Sequence, residues 1–226
     1  MNKILILAAH PDDEVLGCGG TIVKSIFKGD VVQVTFLGEG STCRFEDPTT
    51  KEASESIQER NDWAVNAISK LGVQKFEFNN LPCGRLDQIP IIEINKIIEK
   101  EIDKFRPDVV FTHSESDSNN DHQIVFRSSI MATRPSGNHI VKKLYSYEVL
   151  SSSEWGFKKP FQPNFFVSLS DFELEKKCEA LECYKTEMRT FPFPRSLEGV
   201  RNQAIMRGMQ SGVKFAEAFC LIREFD

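Results

Sequence analysis

Two short stretches hold the residues whose types and spacing suit them to chemistry. In the first, His10-Pro11-Asp12-Asp13-Glu14, an imidazole and three carboxylates directly follow the apolar run Ile4-Leu5-Ile6-Leu7 and the small pair Ala8-Ala9. Such groups bind a divalent metal or move a proton. Pro11 fixes its own φ and biases His10 toward an extended conformation, so the carboxylates leave on a stiff turn, as pre-positioned metal ligands require. The same residues also read as an ordinary turn with an acidic helix cap and a histidine satisfied in the core.

The second stretch is His113-Ser114-Glu115-Ser116-Asp117-Ser118-Asn119-Asn120-Asp121-His122. It lies between a buried strand over Asp108–His113 and a helix over Asp121–Met131, where functional βα loops sit. Taken alone it is equally a solvated loop with Asp121 as the helix cap.

The surrounding elements must bring these stretches together. Ile4–Leu7 reads as a buried strand, followed by a close turn permitted by Gly17, Gly19 and Gly20 and a helix over Thr21–Phe27 that Gly29 stops. Strands then alternate with amphipathic helices: strand Val31–Leu37, helix Lys51–Leu71, strand Val73–Phe78, helix Ile89–Phe105 and strand Asp108–His113. This alternation predicts one Rossmann-like α/β domain over residues 1–226, with a mostly parallel sheet flanked by helices. In the strand order usual for such sheets the first and fourth strands are neighbours, so the site falls at the carboxyl ends of strands 1 and 4. Beyond residue 140 the pattern is weaker, with strands over Lys143–Leu150 and Asn164–Leu169, helices over Leu174–Tyr184 and Ser196–Met209, and a short final strand over Ala216–Ile222.

Composition narrows the function. A net charge of -5 argues against nucleic acid as the main partner, which would call for a surplus of Lys and Arg. Six cysteines are scattered without a C-x-x-C pair, which points to reduced thiols and a cytoplasmic location rather than a disulfide framework or zinc knuckle. The amino-terminal apolar run is too short for a signal peptide or membrane span. The glycines do not have the G-x-G-x-x-G spacing and follow acidic residues, so a dinucleotide-binding oxidoreductase is disfavoured. Some of the 18 phenylalanines could belong to an interface, leaving a homo-oligomer possible.

The A-H-P-D-D-E run followed by L-G-C-G-G-T, with the later D-x-N-x-D-H-x-x-V run, resembles the PIG-L/LmbE-like family of zinc-dependent N-acetyl-sugar deacetylases. Arg60, Leu81-Pro82-Cys83-Gly84-Arg85-Leu86 and Arg106-Pro107-Asp108 also fit the family pattern. The resemblance implies His10, Asp13 and His122 as ligands of zinc, or of another divalent cation, with Asp12 as general base. The implied substrate is a small N-acetylglucosamine-type sugar on a nucleotide, lipid or small aglycone. Two imidazoles and one carboxylate leave a coordination position open, as a catalytic zinc requires.

One departure concerns proton delivery. Asn119 stands where many members have a histidine, and an amide can donate to an oxyanion but supplies no proton at neutral pH. Either Asp12 shuttles the proton alone or His113 reaches in, while Asp121 orients a neighbouring group. Arg60 and Arg85, within the family-like segments, are candidate substrate contacts. Further on, Trp155 could face a sugar ring and Arg195 a phosphate, although such an aromatic can be ordinary packing and such an arginine can pair with Glu198. The alternative is a catalytically silent metal or sugar-nucleotide binding protein on the same fold.

Overall fold

The computed structural model describes residues 1–135 and 138–226. The strands are β1 (Lys3–Ala8), β2 (Val31–Gly38), β3 (Lys75–Leu81), β4 (Val109–His113), β5 (Lys143–Tyr147), β6 (Phe165–Leu169) and β7 (Phe215–Glu224), with β2 and β4 rich in β-branched residues and the others drawing on aliphatic and aromatic ones. They make one sheet in the order β3-β2-β1-β4-β5-β7-β6. The first five strands of that order are mutually parallel, and β7 runs antiparallel to both β5 and β6. The expected α/β domain with a mostly parallel sheet is therefore present, and β1 lies directly beside β4, with Ile4 opposite Val109.

The helices are α1 (Asp13–Phe27), α2 (Lys51–Lys70), α3 (Ile91–Phe105), α4 (Asn120–Ala132), α5 (Asp171–Leu181) and α6 (Leu197–Ser211). The core divides into two layers. One face of the sheet packs Ile6, Phe36 and Phe219 with Leu16, Ile68, Leu174 and Val200 of α1, α2, α5 and α6. The other packs Leu5, Leu7 and Val110 with Ile94, Ile98 and Val125 of α3 and α4. No helix among the described residues is long and apolar enough to cross a membrane.

Three local expectations are corrected. Gly17, Gly19 and Gly20 do not make a turn; they lie inside α1, which begins at Asp13. Their role is close approach: a Cβ on Gly17 would sit 2.2 Å from Cδ2 of Tyr147, and one on Gly20 would sit 2.5 Å from Cδ1 of Leu169. Second, Asn119 rather than Asp121 caps α4, its side chain accepting the Asp121 N–H at 2.9 Å. Third, the last strand is a ten-residue element inside the sheet, with β6 outside it.

A buried ion pair fixes the middle of α1. Lys177 Nζ on α5 lies 2.6 Å from Glu217 Oε1 on β7 and donates to the Leu16 carbonyl at 2.8 Å. The Glu217 carboxylate accepts the N–H groups of Gly20 (2.9 Å) and Thr21 (2.7 Å). In a regular helix the Gly20 amide and the Leu16 carbonyl are each other's partners, so the pair holds α1 where it would otherwise be weakest.

Candidate metal centre

Because β1 and β4 are adjacent, the loops leaving their carboxyl ends meet. Side-chain ligand atoms of His10, Asp13 and His122 all lie within 4.8 Å of one another, and all three residues are buried. His122 Nε2 is 3.4 Å from Asp13 Oδ1, and His10 Nδ1 is 3.7 Å from Asp13 Oδ2. Two ligands held about 2.0–2.1 Å from a tetrahedral zinc lie roughly 3.4 Å apart, so the donor set fits such an ion.

Outer partners select which imidazole atoms face the centre. Asp121 Oδ2 lies 2.8 Å from His10 Nε2 and also accepts the Gly84 N–H at 2.6 Å, while its Oδ1 accepts the Leu86 N–H at 3.1 Å. Burial alone would raise the Asp121 pKa, but the His10 imidazole and these amides hold it below the usual value. The carboxylate therefore takes the His10 Nε2 proton and leaves Nδ1 free to ligate. On the other side Asp117 Oδ1 lies 3.2 Å from His122 Nδ1, leaving Nε2 toward Asp13. Asp117 is in turn bound by the hydroxyls of Ser152 and Ser153, the latter at 2.7 Å.

His10, Cys83 and Asp121 form a second close group. Using it would require Asp121 to give up His10 Nε2 and its two amide bonds, so the first set fits a metal better.

The electrostatics follow from burial and these partners. Burial opposes ionisation of Asp13, yet the facing imidazole of His122 outweighs it and holds the carboxyl well below its usual range. Burial would likewise lower His122, but Asp13 and Asp117 push it up to about 10. That much negative charge around one imidazole is the field a cation would neutralise.

Asp12 sits beside this group at the amino end of α1, with φ 127°, a conformation that costs an ordinary residue about 1–3 kcal/mol. Its surroundings hold it there. The Asp12 N–H donates to Glu14 Oε2 at 3.0 Å, and Arg60 grips the neighbouring Pro11 carbonyl through Nε (3.1 Å) and Nη2 (2.7 Å). Tyr184 Oη donates to the other Glu14 oxygen at 2.5 Å, and burial pushes Glu14 up to about 8.

Both cations near Asp12 meet the same oxygen. Arg195 Nη1 is 2.7 Å from Oδ2 and Arg60 Nη2 is 3.4 Å from it. Burial pushes the Asp12 carboxyl up to about 6 against the pull of Arg195 and Arg60. Behind them Glu187 binds Arg44 at 2.8 Å, Arg195 at 3.2 Å and also Arg60.

The remaining sequence candidates fall in different places. His113 is fully buried and cannot reach in as the acid: its Nε2 accepts the Ala9 N–H at 2.9 Å, and burial drives its pKa down to about 4. A backbone amide can only donate, so the ring proton is on Nδ1. His113 stacks on His122 with ring centroids 4.0 Å apart, which makes it a wall of the centre. Arg60 is 2% exposed and fully engaged behind Asp12, which takes it away from any substrate contact. Asn119 spends its side-chain oxygen on the cap of α4. Arg85 is half-buried at the turn after β3, and Trp155 is exposed on the loop that Ser152 and Ser153 anchor to Asp117.

Sequence reasoning missed Glu187 and Tyr184, isolated residues without a motif. Asp117 was available in the D-x-N-x-D-H run. A cleft of about 850 Å³ lined by Ser114, Lys158, Phe161 and Cys220 among others contains none of the three clustered ligands. Chemistry rather than volume marks the centre.

The chain matches the family described as PIG-L, GlcNAc-PI de-N-acetylase, over residues 5–133. It belongs to that family. It is 26% identical over 190 residues to the uncharacterized deacetylase YaiS of Escherichia coli, covering 81% of this chain and 90% of YaiS. To the diacetylchitobiose deacetylase of Thermococcus kodakarensis it is 26% identical over 229 residues, covering 96% of this chain and 82% of the relative. The solved N,N'-diacetylchitobiose deacetylase of Pyrococcus horikoshii superimposes with a TM-score of 0.78 at 23% identity, covering 98% of this chain and 84% of that one.

Proposed function

We propose that this protein is a metal-dependent hydrolase that removes the N-acetyl group from an N-acetylglucosamine-type sugar, the sugar being linked to a nucleotide, a lipid or a small aglycone. The observation that carries this reading is the convergence of His10, Asp13 and His122 beside the strained, buried Asp12. Membership of the PIG-L family and similarity to a diacetylchitobiose deacetylase support it.

His10 through Nδ1, His122 through Nε2 and Asp13 would hold the ion, which we assign as zinc. When bound it supplies Lewis acidity toward water and an amide carbonyl. Asp12 acts as the base. Arg195 and Arg60 occupy its Oδ2, so Oδ1 is the oxygen that takes the proton of the attacking water. The water oxygen bonds to the acetyl carbon, the C–N bond breaks, and protonated Asp12 returns its proton to the departing amine. Acetate and a free amino sugar result, with all atoms accounted for.

With His113 walled in and Asn119 capping α4, Asp12 is the group left to carry the proton in both directions. Arg60 is assigned to positioning Asp12 rather than to the substrate, whereas Arg195, Arg85 and Trp155 remain proposed contacts with the sugar or its aglycone. The test is release of acetate from a panel of N-acetylated sugars by metal-replete protein, with loss of release on chelation. Binding of these sugars without release across the panel would instead establish the silent binding protein.

A further inference from the structure

Cys43 and Cys83 lie 40 residues apart in sequence, yet their sulfurs are 2.8 Å apart, with the Cys83 thiol donating to Cys43 Sγ. One is exposed and the other buried. Their placement is built rather than accidental. The Glu39 carboxylate accepts the N–H of Thr42 at 3.0 Å and, through its other oxygen, the N–H of Cys83 at 2.8 Å. One side chain therefore ties together the turn after β2 that carries Cys43 and the turn after β3 that carries Cys83. The next amide along, that of Gly84, holds Asp121, the carboxylate that orients His10.

We propose that Cys43 and Cys83 are a reversible modification site, a dithiol that a low-molecular-weight disulfide converts into an intramolecular disulfide across the rim of the metal centre. Cys43 is the attacking group. It is accessible, and the hydrogen bond from Cys83 favours its thiolate. The Cys43 thiolate attacks one sulfur of the small disulfide, forming a mixed disulfide and releasing the first small thiol. Cys83 gives up its proton and attacks Cys43 Sγ, breaking the mixed bond and releasing the second thiol. Two protein thiols are oxidised by two electrons and one small disulfide is reduced to two thiols.

A disulfide needs a sulfur separation of about 2.05 Å. The sulfurs have less than an ångström to close from their 2.8 Å separation. Cys18 and Cys178 are buried as well, and no other cysteine pair among the described residues is within hydrogen-bond reach. Oxidation would thus join these two turns and leave four thiols free.

The experiment equilibrates the full-length protein in buffers of reduced and oxidised glutathione, quenches with acid, alkylates and maps the peptides by mass. The expected result is loss of two hydrogen atoms, a Cys43–Cys83 linked peptide and four alkylated cysteines, all reversed by dithiothreitol, with Tm raised by several degrees in the oxidised form. Cys83→Ser should instead accumulate one glutathione on Cys43, and Cys43→Ser should form no link. Six alkylated cysteines under oxidising conditions, a link involving any other cysteine, or a wild-type protein that keeps glutathione on Cys43 would each overturn the proposal. The readout is covalent mass, so it stands or falls independently of metal binding and deacetylation.

Discussion

At the scale of single residues, the proposed assignment separates metal binding from proton transfer. His10, Asp13 and His122, the proposed ligands, converge, while Asp12, next in sequence to Asp13, holds a strained backbone position. Asp12→Asn keeps the shape and tolerates positive φ, but it cannot accept the proton. Metal content should stay at the wild-type level while kcat falls by about 10²–10⁴-fold; parallel elemental analysis and acetate release check both halves. Asp117→Asn tests the outer partner of His122. It should weaken metal affinity by about 10–100-fold with the fold intact, as measured by competition with a chromophoric chelator.

The two acidic-histidine runs were legible in the sequence because their residues are contiguous, and so was Asp117 in principle. Tyr184 and Glu187 were not: Tyr184 reaches Glu14 from 170 positions away, and Glu187 acts on Asp12 through Arg195 and Arg60. His113 shows the converse. Its sequence position promised a catalytic group, and only the packing of β1 against β4 reveals that its ring is closed off.

At the scale of elements, α1 decides how well the site is held, since Asp12 and Asp13 stand at its amino end. Local chemistry reads three clustered glycines as a turn, and without the sheet that reading is sound. What overrides it is contact with Tyr147, Lys177 and Leu169, all far along the chain. Helix propensity alone makes Gly17→Ala stabilising by about 1 kcal/mol. The Tyr147 ring 2.2 Å from the added carbon reverses that sign, and we expect a net loss of about 1–3 kcal/mol in urea unfolding. An unchanged midpoint would refute the packing account. Lys177→Met should cost about 3–5 kcal/mol by leaving Glu217 buried without its cation, and adding Glu217→Gln should recover part of that loss. A cost below about 1 kcal/mol in the single variant would show that the pair does not clamp α1.

At the scale of the whole molecule, the alternation of strands and helices up to His113 was enough to place β1 beside β4 and so to predict where the site lies. The second half resisted because pairing order is not written in periodicity: a β-like run signals a strand but not which neighbours it takes. The family match ends at residue 133, yet β5, β7 and β6 complete the sheet beyond it. A chain cut after residue 135 would leave β4 with an open edge and strip α1 of Lys177, Leu169 and Tyr147. Such a fragment should lack a cooperative urea transition and aggregate, which circular dichroism and light scattering would report.

The seat of β7 between β5 and β6 also sets a timetable for biosynthesis. The residues that fill this slot follow both of the strands they bridge, so a nascent polypeptide that stops short of them carries two unsatisfied strand borders and a Lys177 whose counter-charge has not emerged. Domains form as units during translation, and here the sheet can close only once β7 has left the exit tunnel. A product stalled or terminated before β7 is therefore a natural client for chaperones and proteases.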